Sequence, residues 1–454
     1  MMLLLACAEG PIQADSAPLE PQPLEPTQAL SRVALDIAGR RPTEDELLAV
    51  EADPDALPDL VDVYLHDPGF EQRIVEEYNR IFLTRSDFFD VGVDGDSEFV
   101  TSEVEYAQFT RAMGEEPLRM LAYVASHDLP YTELVTADYT VANDVMLRHL
   151  PLDAIEDGEG WRRARYQDHR PPAGLLAGTG LYWRYTTTPE NRNRRRAEII
   201  LRSMVCDTRF DQPIEFTAST DVASRTDFQS RTQTDPTCLT CHVVLDPVAS
   251  FLWGYYRFHI ASYTEASYYY GTREDYWDDG LSPAPAWYGD AGDGLADLGV
   301  SIARDPRFPA CAVEQAFTNS FEREPGSADL QRLARHREAF LRGDLLLREL
   351  YRSIALDPAY LSADDRWDEA VPLKRVGPEL MASQLEALTG FRWAYEGWDM
   401  LSSDKYGLRV LGGGMDGMIV TVPASDHCVT EAMVWQRAAE GAASYAVAQE
   451  SEQD

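Results

Sequence analysis

The chain has 454 residues, enough for roughly three domains. It is 44% hydrophobic and 26% charged, which excludes a disordered or fibrous protein and leaves ample apolar material for real cores. Asp and Glu number 77 against 40 Lys and Arg, a formal charge of −37; a surface this acidic repels phosphate backbones, so no nucleic-acid partner is expected.

The chain opens Leu4-Leu5-Ala6-Cys7, a leucine and small residue before a cysteine, which resembles a bacterial lipobox. There the leader is cut away and the new N-terminal Cys7 is acylated, giving membrane attachment. Met1 to Ala6 is shorter than an apolar leader region of about 7–15 residues, and no Lys or Arg precedes it. The alternative is an ordinary apolar N-terminus. Residues 8–27 are proline-rich and acidic, which suits an extended tether, so 1–27 reads as leader and tether.

Residues 28–150 read as an N-terminal helical module. Thr43-Glu44-Asp45-Glu46 is a capping box, and helical patterns recur around 57–83, 103–126 and 138–149. Residues 151–294 form the next module. Its first part, 151–188, is irregular and includes Arg170-Pro171-Pro172. Thr188-Pro189 then predicts a helix running to about Cys206, with Thr as cap and Pro in the first turn. Residues 207–235 are Asp-, Thr- and Ser-rich and read as loop; 251–294 form an irregular aromatic and glycine-rich region with Tyr268-Tyr269-Tyr270 and Trp277. Residues 295–365 are helical again, punctuated by Asp305-Pro306 and Asp357-Pro358. The C-terminal module, 366–454, shows helical patterns at 373–388 and 427–449 around a Gly412-Gly413-Gly414 loop. The fold class is mainly α and multi-module. No apolar run approaches the ~20 residues needed to span a bilayer.

Six cysteines occur, at 7, 206, 238, 241, 311 and 428, and two of them lie in Cys238-Leu239-Thr240-Cys241-His242. This C-x-x-C-H spacing is the pattern of covalent c-type haem attachment. Two thiols that add to the two vinyl groups of one porphyrin must stand about one helical turn apart, and the adjacent imidazole then gives its Nε2 to the iron as proximal ligand. Asp235-Pro236 supplies a cap and a first-turn proline just before the motif, and Asp246-Pro247 is expected to close the helix. Two alternatives remain, a disulfide or redox pair and a metal site. A zinc site would need two further Cys or His at finger-like spacing. A thioredoxin-like pair would follow a buried strand, whereas this one follows a polar loop.

The distal iron ligand is open among Met204, His169 and His259. A methionine would raise the reduction potential relative to histidine, and an open position would favour ligand binding or peroxide chemistry. Each has a plainer reading: Met204 as core, His259 as packing among Trp253 to Phe258, His169 as a solvated loop residue. Arg184, Arg192, Arg194, Arg195 and Arg196 cluster in an otherwise acidic chain, and Arg194 and Arg195 are the candidates for pairing haem propionates. The alternative is a solvated helix start. Trp183, Tyr185 and Trp253 are candidate pocket walls or ordinary core.

Between Asp87 and Glu98, Asp90, Asp94, Asp96 and Glu98 could hold Ca²⁺, but the twelfth position from Asp90 is Thr101, so the EF-hand register fails. Asp290 and Asp293 make a weaker site of the same kind. Nucleotide-binding loops, G-x-S-x-G and H-E-x-x-H do not occur.

Several segments, taken in order, resemble a bacterial family of multi-module envelope proteins built of domains of unknown function with a cytochrome c-like attachment site. They are Arg41-Pro42-Thr43 with Glu46-Leu47, Leu134 to Asn143 (Leu-Val-Thr-Ala-Asp-Tyr-Thr-Val-Ala-Asn), Ala173-Gly174-Leu175-Leu176 followed by Arg194-Arg195-Arg196, Cys238 to His242 with Leu245-Asp246-Pro247, and Asp305-Pro306-Arg307-Phe308 with Cys311. The likeness covers most of the chain and is fullest over 130–325. Leu245 stands where the family has Met, so that residue cannot ligate iron here; Phe251-Leu252-Trp253-Gly254 replaces Phe-Glu-Asn-Phe. The resemblance implies an envelope location, one c-type haem and a Cys206–Cys311 disulfide, which suits an oxidising compartment and leaves Cys428 odd.

The sequence therefore leads to an envelope lipoprotein carrying one covalent haem c on Cys238, Cys241 and His242, with electron transfer to an unidentified redox partner protein as its role. A haem enzyme, peroxidase-like or acting in oxidative polymer processing, and a surface binding or structural protein are the alternatives. Whether the chain is an enzyme is left open.

Overall fold

A computed structural model of the chain describes residues 22–87, 103–211, 225–255, 269–362, 375–424 and 426–453. The architecture is mainly α-helical, with a three-stranded antiparallel sheet and two small strand pairs. One apolar core runs from Leu30 to Tyr360, across the expected module boundaries at 150 and 294. None of the described helices is long and apolar enough to cross a membrane.

The helix Glu44–Ala52 starts at the capping box: Thr43 Oγ1 accepts from Glu46 N–H (3.2 Å) and Glu46 Oε2 from Thr43 N–H (2.7 Å). The pattern at 57–83 divides into Leu57–Leu65 and Pro68–Phe82, because Asp67 caps the second helix by accepting from Gly69 N–H at 2.8 Å. Pro68–Phe82 packs along the 24-residue helix Glu103–Ser126.

The helical reading of 138–149 is corrected. Thr140–Ala142 is a strand, and only Asp144–His149 is helical, capped by Asn143. The strand carries β-branched Thr140 and Val141, is buried throughout, and pairs with Arg162–Tyr166, which also pairs with Leu152–Ala154. The sheet edge thus outweighs the helical period.

The arginine helix begins at Arg194, not near Pro189, and ends at Val205. Thr188 caps a turn instead, its Oγ1 accepting from Asn191 N–H at 3.1 Å, and Arg192 and Asn193 then take left-handed backbone angles (φ 52° and 65°) that no helix can include. The loop expected at 207–235 contains the helix Arg225–Thr234, which packs on the helix that follows it. That next helix, Pro236–Ser250, holds the Cys-x-x-Cys-His motif. It does not close at Asp246-Pro247: Val248 and Ala249 (0% and 3% exposed) are buried in the core, and this packing outweighs the hydrogen bond Pro247 cannot make.

The aromatic region is irregular as expected, with short 3₁₀ turns at Trp253–Tyr255 and Gly271–Trp277. Ala286–Trp287 and Asp290–Ala291 pair through a turn at Tyr288 and Gly289, both with positive φ (48° and 99°). Four helices, Leu295–Arg304, Arg307–Phe321, Leu330–Arg342 and Leu347–Ala355, complete the main core. The C-terminal region has its own small apolar cluster of Leu401, Val434 and Ala438, built on Pro378–Thr389 and the long helix Val429–Gln453.

Candidate haem-attachment site

Asp235 caps the motif helix by accepting from Thr237 N–H at 2.8 Å, and Pro236 occupies its first turn. Cys238, Cys241 and His242 follow at i, i+3 and i+4, so they share one helix face. All three are partly exposed, with 15% of the His242 side chain open. One turn on, Val244, Leu245 and Val248 turn into the core. The helix is thus docked by its C-terminal half and presents the motif from its N-terminal half.

Cys238 and Cys241 are both free thiols. Burial pushes the Cys238 thiol above its usual range, and the Asp235 carboxylate adds to the effect. A nucleophilic redox thiol is favoured by the opposite shift, so the surroundings of Cys238 do not activate it as in a thioredoxin-like site.

His242 Nδ1 lies 2.8 Å from Asp246 Oδ1, one helical turn away. Arg194, on the neighbouring helix, grips the same carboxylate with both arms, Nε to Oδ1 at 2.7 Å and Nη2 to Oδ2 at 2.8 Å. Asp246 is only 6% exposed. Burial works against its charge, but hydrogen bonds from Arg194 and then His242 prevail, and the carboxyl is held below the usual carboxylate range. An ionised carboxylate only accepts, so Nδ1 is the ring nitrogen that donates to it, and Nε2, the nitrogen a metal would take, points away. Two reduced thiols one turn apart, beside an imidazole oriented in this way, are a donor set that fits covalent haem.

The arginine cluster spreads over several acceptors, and of its members Arg194 reaches the motif helix. The fork of Arg194 is taken by Asp246. Arg195 is exposed, with its guanidinium 5.7 Å from the Tyr185 ring centroid. Arg192 pairs with Asp279 (2.6 Å) and lies over Trp253. Arg196 is buried among the carbonyls of Tyr185 and Tyr255, and burial pushes it down to about 10. Arg184 donates to the carbonyls of Leu83 and Gly417. Arg184, Arg192, Arg194 and Arg196 sort onto separate acceptors because backbone or carboxylate oxygens of different elements fix them.

Met204 is 1% exposed and lies in the main core. His169 is exposed, with φ 60°, beside a cavity of about 400 Å³ whose lining includes Tyr166, Arg170 and Gly174 but none of Cys238, Cys241 and His242. His259 and Cys7 lie outside the described residues, as do Asp90 to Glu98. Tyr185 and Trp253 are buried (3% and 2%), and Trp183 packs on a second small cluster around Met146. Cys206 and Cys311 form a disulfide with Cα atoms 5.3 Å apart, fixing the end of the arginine helix to the helix Arg307–Phe321; Cys428 is free and exposed. Among the described residues no group of three or more His, Cys, Asp and Glu is arranged to hold a metal ion, Asp290 and Asp293 included.

Sequence reasoning treated Asp246 as a helix stop and as part of a resembling segment, not as the partner of His242. The signal was its distance from His242, four residues on a helix, which places a carboxylate against the imidazole. Comparison with family models, curated proteins and solved structures finds no match to this chain.

Proposed function

We propose that the chain carries one covalent haem c, attached through Cys238 and Cys241 with His242 as proximal ligand, and transfers electrons at the bacterial cell envelope. The observation that carries this reading is the shared helix face of Cys238, Cys241 and His242, with the imidazole held by Asp246 at 2.8 Å so that Nε2 faces away from its anchor. A bound haem supplies a one-electron ferric/ferrous couple. The chain's own part would be to hold the porphyrin by two thioether bonds and to orient the ligand ring, with Nδ1 turned to Asp246 and Nε2 turned outward. The ordered likeness from Leu134 to Phe308 supports an envelope setting, and acylated Cys7 would tether the domain to a membrane.

A second reading, a haem enzyme, is favoured by one observation. A carboxylate on the far nitrogen makes the imidazole a stronger electron donor, which suits oxidative turnover more than simple electron storage. Spectra and voltammetry of protein matured in a periplasm with haem-attachment machinery decide between them. Electron transfer predicts a low-spin, six-coordinate spectrum and a reversible wave. The enzyme predicts high-spin ferric iron and turnover of added peroxide. Binding of a surface ligand that survives Cys238→Ser with Cys241→Ser would point instead to a structural or binding protein.

A further inference from the structure

We propose that Asp246, held in one orientation by Arg194, is a positioning residue that fixes the tautomer of His242, and that its carboxylate lowers the reduction potential of the iron that imidazole would hold; this rests on the haem reading above. The partner of a ligand imidazole is either neutral, a backbone carbonyl or a water, or a carboxylate, and the two kinds differ by a full charge. Here it is the carboxylate. Asp246 Oδ1 meets Nδ1 at 2.8 Å, and the carboxyl is 6% exposed, so solvent and salt screen its charge weakly.

Arg194 makes the arrangement rigid. Its two bonds to Asp246, 2.7 and 2.8 Å, use both carboxylate oxygens and leave the group one orientation. Asp246 cannot rotate away from the imidazole without breaking this fork. The arginine comes from a helix whose far end the Cys206–Cys311 disulfide ties to the helix Arg307–Phe321. The imidazole is thereby registered against a second element of the core rather than against its own helix alone. A carboxylate serving only to neutralise Arg194 would need no bond to Nδ1. Its negative charge behind the ring stabilises the ferric state over the ferrous state, which gains one electron.

The test is Asp246→Asn in the haem-loaded protein, which keeps size and an acceptor oxygen but removes the charge. The reduction equilibrium is expected to move about tenfold toward the ferrous form, about 59 mV upward for one electron. Attached haem with an unchanged potential overturns the inference and leaves the haem reading standing. A wild-type protein that takes no covalent haem overturns the haem reading and, with it, the effect on potential. The positioning is read separately, and without Asp246→Asn, by ¹⁵N NMR of His242 in haem-free wild-type protein at alkaline pH. A protonated Nδ1 supports it, and a protonated Nε2 overturns it.

Discussion

The motif region and the C-terminal region are held in different ways. The motif helix is docked into an apolar core, the arginine helix beside it is closed by a disulfide, and the ionic group buried between them is Arg194–Asp246–His242. The C-terminal region has an apolar cluster of three buried residues and meets the rest of the molecule through buried charges. Arg85 (2% exposed) reaches Glu115 and, across to the C-terminal region, Glu379; within that region Arg409 (1% exposed) reaches the same Glu379 at 2.9 Å and Asp404 at 3.3 Å. Apolar burial is forgiving of direction, whereas buried ion pairs fix geometry but offset much of their own attraction by desolvation. The C-terminal region is therefore placed accurately and held weakly, and it is expected to be the first part of the molecule to open.

The sharpest way to break that contrast is Arg409→Ala, which removes the cation beside Asp404 and leaves Glu379 with Arg85 alone. It should cost about 3–5 kcal/mol, and hydrogen exchange should rise across 375–453 while the main core stays protected. Equal loss of protection in both regions would dissolve the distinction. Next, Cys206→Ser with Cys311→Ser removes a link between residues 105 apart and should lower the denaturant-derived stability of the core by about 2–4 kcal/mol. No change in that measurement would mean the disulfide does not support the arginine helix.

The two regions should also answer pH with opposite signs. Burial pushes the Asp404 carboxyl up to about 6; the Arg409 charge opposes this and Asp87 reinforces it. Its protonated form suits the folded state, so its contribution is full below pH ~4 and is lost as pH rises through about 6, amounting to about 3 kcal/mol. In the main core, burial also opposes the charge of Asp357, but hydrogen bonds from His336 and the Ala359 N–H, with Arg332 nearby, hold it down at about 2. That contribution is present at neutral pH and fades as pH falls through about 4 toward 2. Hydrogen exchange at pH 4.5 and 7.5 should show the C-terminal region gaining protection at the lower value, and Asp404→Asn should remove the difference. The smallest effect is Asp235→Ala, which removes the cap of the motif helix. It should cost about 1 kcal/mol, and helix fraying at Cys238 should appear as faster alkylation of that thiol.

What was legible in the sequence was local. The Thr43–Glu46 capping box, the helix over 103–126 and the Asp235-Pro236 start of the motif helix follow from caps and periodicity, and each forms as read. The spacing of Cys238, Cys241 and His242 fixes their common face once the segment is helical. What was not legible depended on neighbours distant in the chain. Thr140–Ala142 is a strand because Arg162–Tyr166 lies beside it. The helix continues past Pro247 because Val248 and Ala249 have a core to enter. The arginines looked like one basic patch because they are close in sequence, but their acceptors come from Leu83, Asp246, Tyr255, Asp279 and Gly417. The same cause hid the grip of Arg194 on Asp246, which joins residues 52 apart.

The central claim is the covalent attachment itself. Intact mass of denatured protein, matured in a periplasm that attaches haem, should show the mass of one added haem, lost in Cys238→Ser with Cys241→Ser. Wild-type protein that stays colourless, with both thiols of the motif still open to alkylation, would contradict the account.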